Sequence, residues 1–61
     1  MFTPGQTFTL KSGTPGRVMW LSAERDDCHI WVYVELTYHR GRKHWTELTC
    51  FTEQELEEKI R

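Results

Sequence analysis

The chain lacks any apolar run approaching the ~20 residues needed to cross a bilayer, and its opening MFTPGQTFTL has neither a basic leader nor an apolar signal core. A cytoplasmic protein with no membrane association is expected. It also lacks charge of one sign. Eight Lys and Arg stand against nine Asp and Glu, giving a formal net charge of −1. The basic excess of a protein that coats nucleic acid non-specifically is therefore missing, so any such binding must come from a local patch. Cysteine is scarce, with two in the chain and no C-x-x-C. In a chain without an export signal these read as buried, reduced thiols. No metal site is expected, because His39 and His44 flank a solvated tip and His29 points away from Cys28. Ser12 and Ser22 have no recognisable base, and there is no glycine-rich phosphate cradle. Neither catalysis nor a cofactor is expected.

What is present is β-forming sequence. Sixty-one residues make one domain over 1–61, and a chain this short buries only ~60% of the surface its unfolded form exposes, so its core is small. Three Trp, three Phe and two Tyr suffice for such a core. Thr7 to Lys11 alternates with Phe8 and Leu10 inward, and the loop formers Ser12-Gly13-Thr14-Pro15-Gly16 follow. Val18 to Ala23, VMWLSA, is apolar on both faces and reads as a central strand. After the charged turn Glu24-Arg25-Asp26-Asp27 comes one long hairpin, Cys28 to Phe51.

In the hairpin, Ile30, Val32, Val34 and Leu36 point one way, and Trp31, Tyr33, Glu35 and Thr37 the other. A three-residue loop His39-Arg40-Gly41, closed by glycine in the left-handed region, pairs Tyr38 with Arg42. Val32 then falls opposite Leu48, Ile30 falls opposite Cys50, and Trp31, Tyr33, Trp45 and Phe51 share the face opposite the aliphatic row. A two-residue or four-residue loop would flip the second strand and bring Trp45 and Phe51 under the aliphatic row instead.

The period changes at the C-terminal segment. Thr52-Glu53-Gln54-Glu55 fits a capping box, with Phe51 and Leu56 placed for a hydrophobic staple. Glu53 and Glu55 at the start, with Lys59 and Arg61 at the end, suit the helix dipole. A short helix over Glu53 to Ile60 is expected, covering one open end of the sheet through Leu56 and Ile60. The fold class is mainly β, a small SH3-like antiparallel barrel of four to five strands with a short C-terminal helix.

The run Gly5-Gln6-Thr7-Phe8-Thr9-Leu10-Lys11-Ser12-Gly13-Thr14-Pro15-Gly16-Arg17-Val18, followed by Val32-Tyr33-Val34-Glu35, resembles the KOW motif of ribosomal proteins and NusG-type transcription factors. The resemblance implies two sides of an SH3-like barrel, with Gly5 and Gly16 in backbone conformations that a β-carbon disfavours, and it implies association with nucleic acid or ribonucleoprotein. Where KOW loops place a basic residue before the second glycine, this chain has Pro15. Leu10-Lys11-Ser12-Gly13-Thr14-Pro15 with Met19 is also similar to a family of small bacterial proteins that read LKSGGP followed by Met. That family has no assigned activity, so the likeness implies fold alone.

Two features are candidates for function. The hairpin tip His39-Arg40-Gly41-Arg42-Lys43-His44 gathers three fixed cations and two titratable ones, suited to phosphate. Lys11 and Arg17 extend the patch if the other loop lies beside it, and Trp45 or Tyr38 offers a stacking surface for a base. The plain alternative is a solvated charge cluster that keeps strand edges from aggregating. The second feature is the aromatic set Trp31, Tyr33, Trp45 and Phe51, suited to a protein partner or to a homo-oligomer. Its plain alternative is burial under the helix and the first strand.

Overall fold

The computed structural model describes residues 2–23 and 29–61. The charged turn at 24–27 and Cys28 lie outside the described residues. Four strands, β1 (Thr7–Thr9), β2 (Pro15–Ala23), β3 (Ile30–Arg40) and β4 (Lys43–Thr52), precede one helix, α1 (Glu53–Lys59). The strands form one antiparallel sheet in the order β1-β2-β3-β4, with β2 and β3 central. The fold is mainly β with a short C-terminal helix. Because β1 and β4 are the two ends of the strand order, the sheet is open.

The core lies on one face of this sheet. Val32 and Val34 are fully buried and Leu36 nearly so, as the alternation of β3 requires. Ile30, the first of that row, is exposed. From β1 and β2, Phe8 and Val18 join the same layer, and Phe2 and Leu56 close it. Each fully buried Val or Leu stabilises the fold by about 1.5–3 kcal/mol relative to exposure.

The hairpin register differs from the expected one. Arg40 pairs with Lys43 across a two-residue loop, Gly41-Arg42, which puts Val32 opposite Phe51, Tyr33 opposite Cys50 and Glu35 opposite Leu48. Gly41 has φ +62° in the first loop position, as a type II′ turn requires, and such turns match the twist of the flanking strands. Trp45 and Phe51 therefore lie on the aliphatic face with Tyr38, not with Trp31 and Tyr33. Cys50 turns onto the other face and is an exposed free thiol, where burial was expected.

In β2, the pairing shifts by one residue between Val18 and Trp20, so Met19 forms a bulge. Val18 faces the core before it and Leu21 after it, and Trp20 is turned to the outer face. Strict alternation would have put Trp20 and Ser22 inside. Gly16 also departs from expectation. Gly5 does have positive φ, at +91°, but Gly16 is an ordinary strand residue. What requires glycine there is space, since the Phe8 ring and Leu36 press on the position where a β-carbon would stand.

The helix is capped as the sequence implies. Thr52 Oγ1 accepts from the amide of Glu55, and the Glu55 carboxylate accepts from the amide of Thr52, each at 3.0–3.1 Å. After the helix, Ile60 bridges Leu10. Lys11 N donates to Lys59 O at 2.7 Å and Arg61 N to Thr9 O at 2.9 Å, so the segment after α1 lies along β1.

Candidate functional site

The molecule is elongated, 42 × 19 × 17 Å, because the β3–β4 hairpin outruns its neighbours. Pairing between β2 and β3 ends at Gly16 and Leu36. Beyond that point Thr37–Arg40 and Lys43–Thr46 pair with each other as a two-stranded arm. The row that is buried as Val32, Val34 and Leu36 continues along this arm as Tyr38 and Arg40, and β4 adds Lys43 and Trp45 on the same face. What was core pattern becomes an exposed aromatic and cationic surface.

At its end Arg40 and Lys43 stand directly opposite, with Arg42 in the turn between them. Like charges facing across a ladder are destabilising, and residues 37–46 hold no acidic side chain to offset them. An anion would. Just behind, Trp45 stacks on Tyr38 with centroids 5.7 Å apart and planes 21° apart, and Trp45 remains 43% exposed. On the arm's other face the rings of His39 and His44 lie 5.9 Å apart.

The structure thus brings Arg40, Arg42 and Lys43 together with Tyr38 and Trp45. It does not bring Lys11 and Arg17 to them. Arg17 sits opposite Glu35 on the other face of the sheet, about 17 Å along the strand from Arg40 at the usual rise per residue. Lys11 lies at the far side of the β1–β2 loop, bound through its amide to the end of α1 and beside Glu58. The loop residues Ser12–Pro15 are what approach the arm, forming a shallow groove with Thr37, Tyr38 and His39.

The expected aromatic quartet is divided between faces. Phe51 packs against the core, with Lys59 Nζ 5.7 Å from its ring centre. Trp31 and Tyr33 are on the outer face, where Trp20 replaces the missing pair. Trp20 and Tyr33 stack at 4.8 Å with planes 14° apart, and Trp20 is 44% exposed. Trp31 is half-buried, and its indole N–H is shielded from solvent with no partner among the described residues. Sequence alternation missed Trp20 because the bulge at Met19 reverses its face. VMWLSA is apolar on both faces, so its alternation holds no phase that could have placed Trp20.

Among the described residues, Glu55 is the one acid whose titration is clearly perturbed. The hydrogen bond from the Thr52 amide, and then that from its hydroxyl, hold the Glu55 carboxyl below the usual glutamate range. This is a capping role. Among the described residues no cluster of His, Cys, Asp and Glu is arranged to hold a metal ion, and no helix is long and apolar enough to cross a membrane. No family model matches the chain, and no match was found among curated proteins or solved structures.

Proposed function

We propose that the protein is a small non-enzymatic binding module that associates with nucleic acid or ribonucleoprotein through the tip of the β3–β4 arm. The supporting observation is Arg40 directly opposite Lys43, with Arg42 between them and no acid along the arm. Such a cluster is costly alone and is relieved by phosphate. Trp45, exposed on the same face, supplies a surface on which an unpaired base can stack, so single strands are the preferred ligand. A KOW-like, SH3-like scaffold and a cytoplasmic location belong to the same reading.

The second reading is a protein-interaction adaptor or inhibitor, and the Trp20–Tyr33 stack beside Trp31 favours it. Exposed paired aromatics on a sheet face suit a partner's apolar or cationic side chains.

Titration of the protein into labelled single-stranded and double-stranded DNA and RNA, at about 50 and about 200 mM salt, separates the two. Binding that weakens steeply with salt and is lost in Arg40→Ala/Arg42→Ala supports the arm. Absence of binding at the lower salt refutes it and leaves the aromatic face as the working surface.

A further inference from the structure

β4 is the last strand of the sheet, and ten residues, Lys43–Thr52, run along that edge. Natural edges of this length are usually interrupted by proline, a bulge or several charges. β4 has no proline, pairs with β3 without a register break, and carries fixed charge only at Lys43, its first residue, and at Glu47. Lys43 to Leu48 and Cys50 are exposed along it, and the helix follows only after Thr52. It packs on β3 as well as β4 and leads the chain away to the Leu10–Ile60 bridge.

We infer that a second copy of this chain occupies the edge, its β4 antiparallel to the first about a two-fold axis through Leu48, giving one continuous eight-stranded sheet. The choice of axis follows from the hairpin. In a two-residue loop the flanking pair, here Arg40 and Lys43, is the hydrogen-bonded one, so odd-numbered residues of β4 spend their N–H and C=O groups on β3. His44, Thr46, Leu48 and Cys50 direct theirs to the free edge, while the amide of Thr52 is held by Glu55 in the capping box. Two identical edges can then bond only with even residues opposite even residues. This puts the axis through a residue and excludes the register that would overlap all ten.

Two axes overlap nine. One passes through Glu47 and sets that carboxylate against its own copy, which like-charge repulsion disfavours. The other passes through Leu48. It sets Leu48 against Leu48, Trp45 against Phe51 of the copy, and Thr46 against Cys50 of the copy. Leu48 is 58% exposed, the most exposed large apolar side chain among the described residues. One step beyond the strand, the same register brings Lys43 to Glu53 of the copy, so each basic tip meets the first turn of an acidic helix, which carries Glu53 and Glu55. Apolar and charge complementarity select the same register.

This inference goes beyond the nucleic-acid reading and does not rest on it. The two Arg42 residues would lie about 40 Å apart at opposite ends of the paired strands, at the usual strand rise.

The test is the mass of the full chain in solution, without nucleic acid, at about 100 μM, where a homodimer of micromolar Kd is saturated. Twice the 7.3 kDa of one chain is expected. Leu48→Lys, and separately Thr46→Pro, which removes an N–H facing the free edge and none from the ladder to β3, should each give a monomer with unchanged circular dichroism. In a Cys28→Ser/Cys50→Ser background, Leu48→Cys should cross-link to near completion on oxidation, and Glu47→Cys or Trp45→Cys should not. A monomeric wild-type chain, a dimer that survives Leu48→Lys, or cross-linking through position 47 or 45 in place of 48 would overturn the proposal. Lys43 and Trp45 enter both ideas, but the mass is read without nucleic acid and the titration is judged on Arg40→Ala/Arg42→Ala, so either idea can fail alone.

Discussion

The ring of Phe8 lies over Gly16 so closely that a β-carbon on the glycine would stand 2.5 Å from Phe8 Cζ and 2.9 Å from Leu36 Cδ2. Both contacts involve core side chains with little room to retreat. Gly16→Ala should therefore destabilise by about 1–3 kcal/mol through overpacking. Thermal unfolding measures this directly. Phe8→Leu in the same chain should recover part of the loss, and simple additivity of the two changes would show that they do not share this contact.

Arg40→Glu replaces a repulsive pair by an attractive one, since Lys43 is directly opposite. Stability should rise by a few tenths to about 1 kcal/mol, while affinity for nucleic acid falls at least tenfold. A rise in melting temperature coupled to a loss of binding is the signature of a cation kept for a ligand. A change that lowers both would mean the arginine is structural.

Trp45→Ala should weaken single-strand binding by about 1–3 kcal/mol, the worth of one stacked base. Trp20→Ala, on the opposite face, should leave that binding unchanged. Anisotropy of a labelled oligonucleotide distinguishes them. The reverse dependence, seen with a protein ligand, would favour the adaptor reading.

Thr52→Ala should cost about 1 kcal/mol, the usual worth of an N-cap. Glu55 makes the effect depend on pH. Its carboxyl titrates lower folded than unfolded, so the cap's electrostatic share is fully present above the unfolded glutamate value and is lost as pH falls through the folded one. An NMR titration should place Glu55 below the usual glutamate range in the wild type and less far below it in Thr52→Ala, which removes the bond from the hydroxyl and keeps the bond from the amide. Equal values in the two proteins would remove the Thr52 hydroxyl from the account.

Elements with local causes were legible in the sequence. The capping box at Thr52–Glu55, the inward row of β3 and the central place of β2 all follow from residues within a turn or two of each other. The phase between elements was not. Gly41 fits the last position of a three-residue loop or the first of a two-residue loop, and that one choice decides which face Trp45, Cys50 and Phe51 occupy. In β2, Val18 to Leu21 are all apolar, so the alternation carries no phase and the bulge at Met19 leaves no local mark. The basic tip was legible as a cluster. That Lys11 and Arg17 stand apart from it depended on the face and end of the sheet each reaches, which no nearby residue reports.

β1 holds three residues, and half of what fixes it arrives late. Its neighbour on one side is β2, but on the other Thr9, Leu10 and Lys11 are bonded to Lys59, Ile60 and Arg61, some fifty residues on. Closing so long a loop costs more entropy than closing the hairpin and rewards it with few bonds. During synthesis the β3–β4 hairpin can form as it leaves the ribosome, and β1 can pair with β2, but the outer side of β1 has to wait for Lys59 to Arg61. Until then Phe8 is seated only by β2 and β3, and a nascent chain stalled before the end of α1 would leave Leu10 and that outer side uncovered.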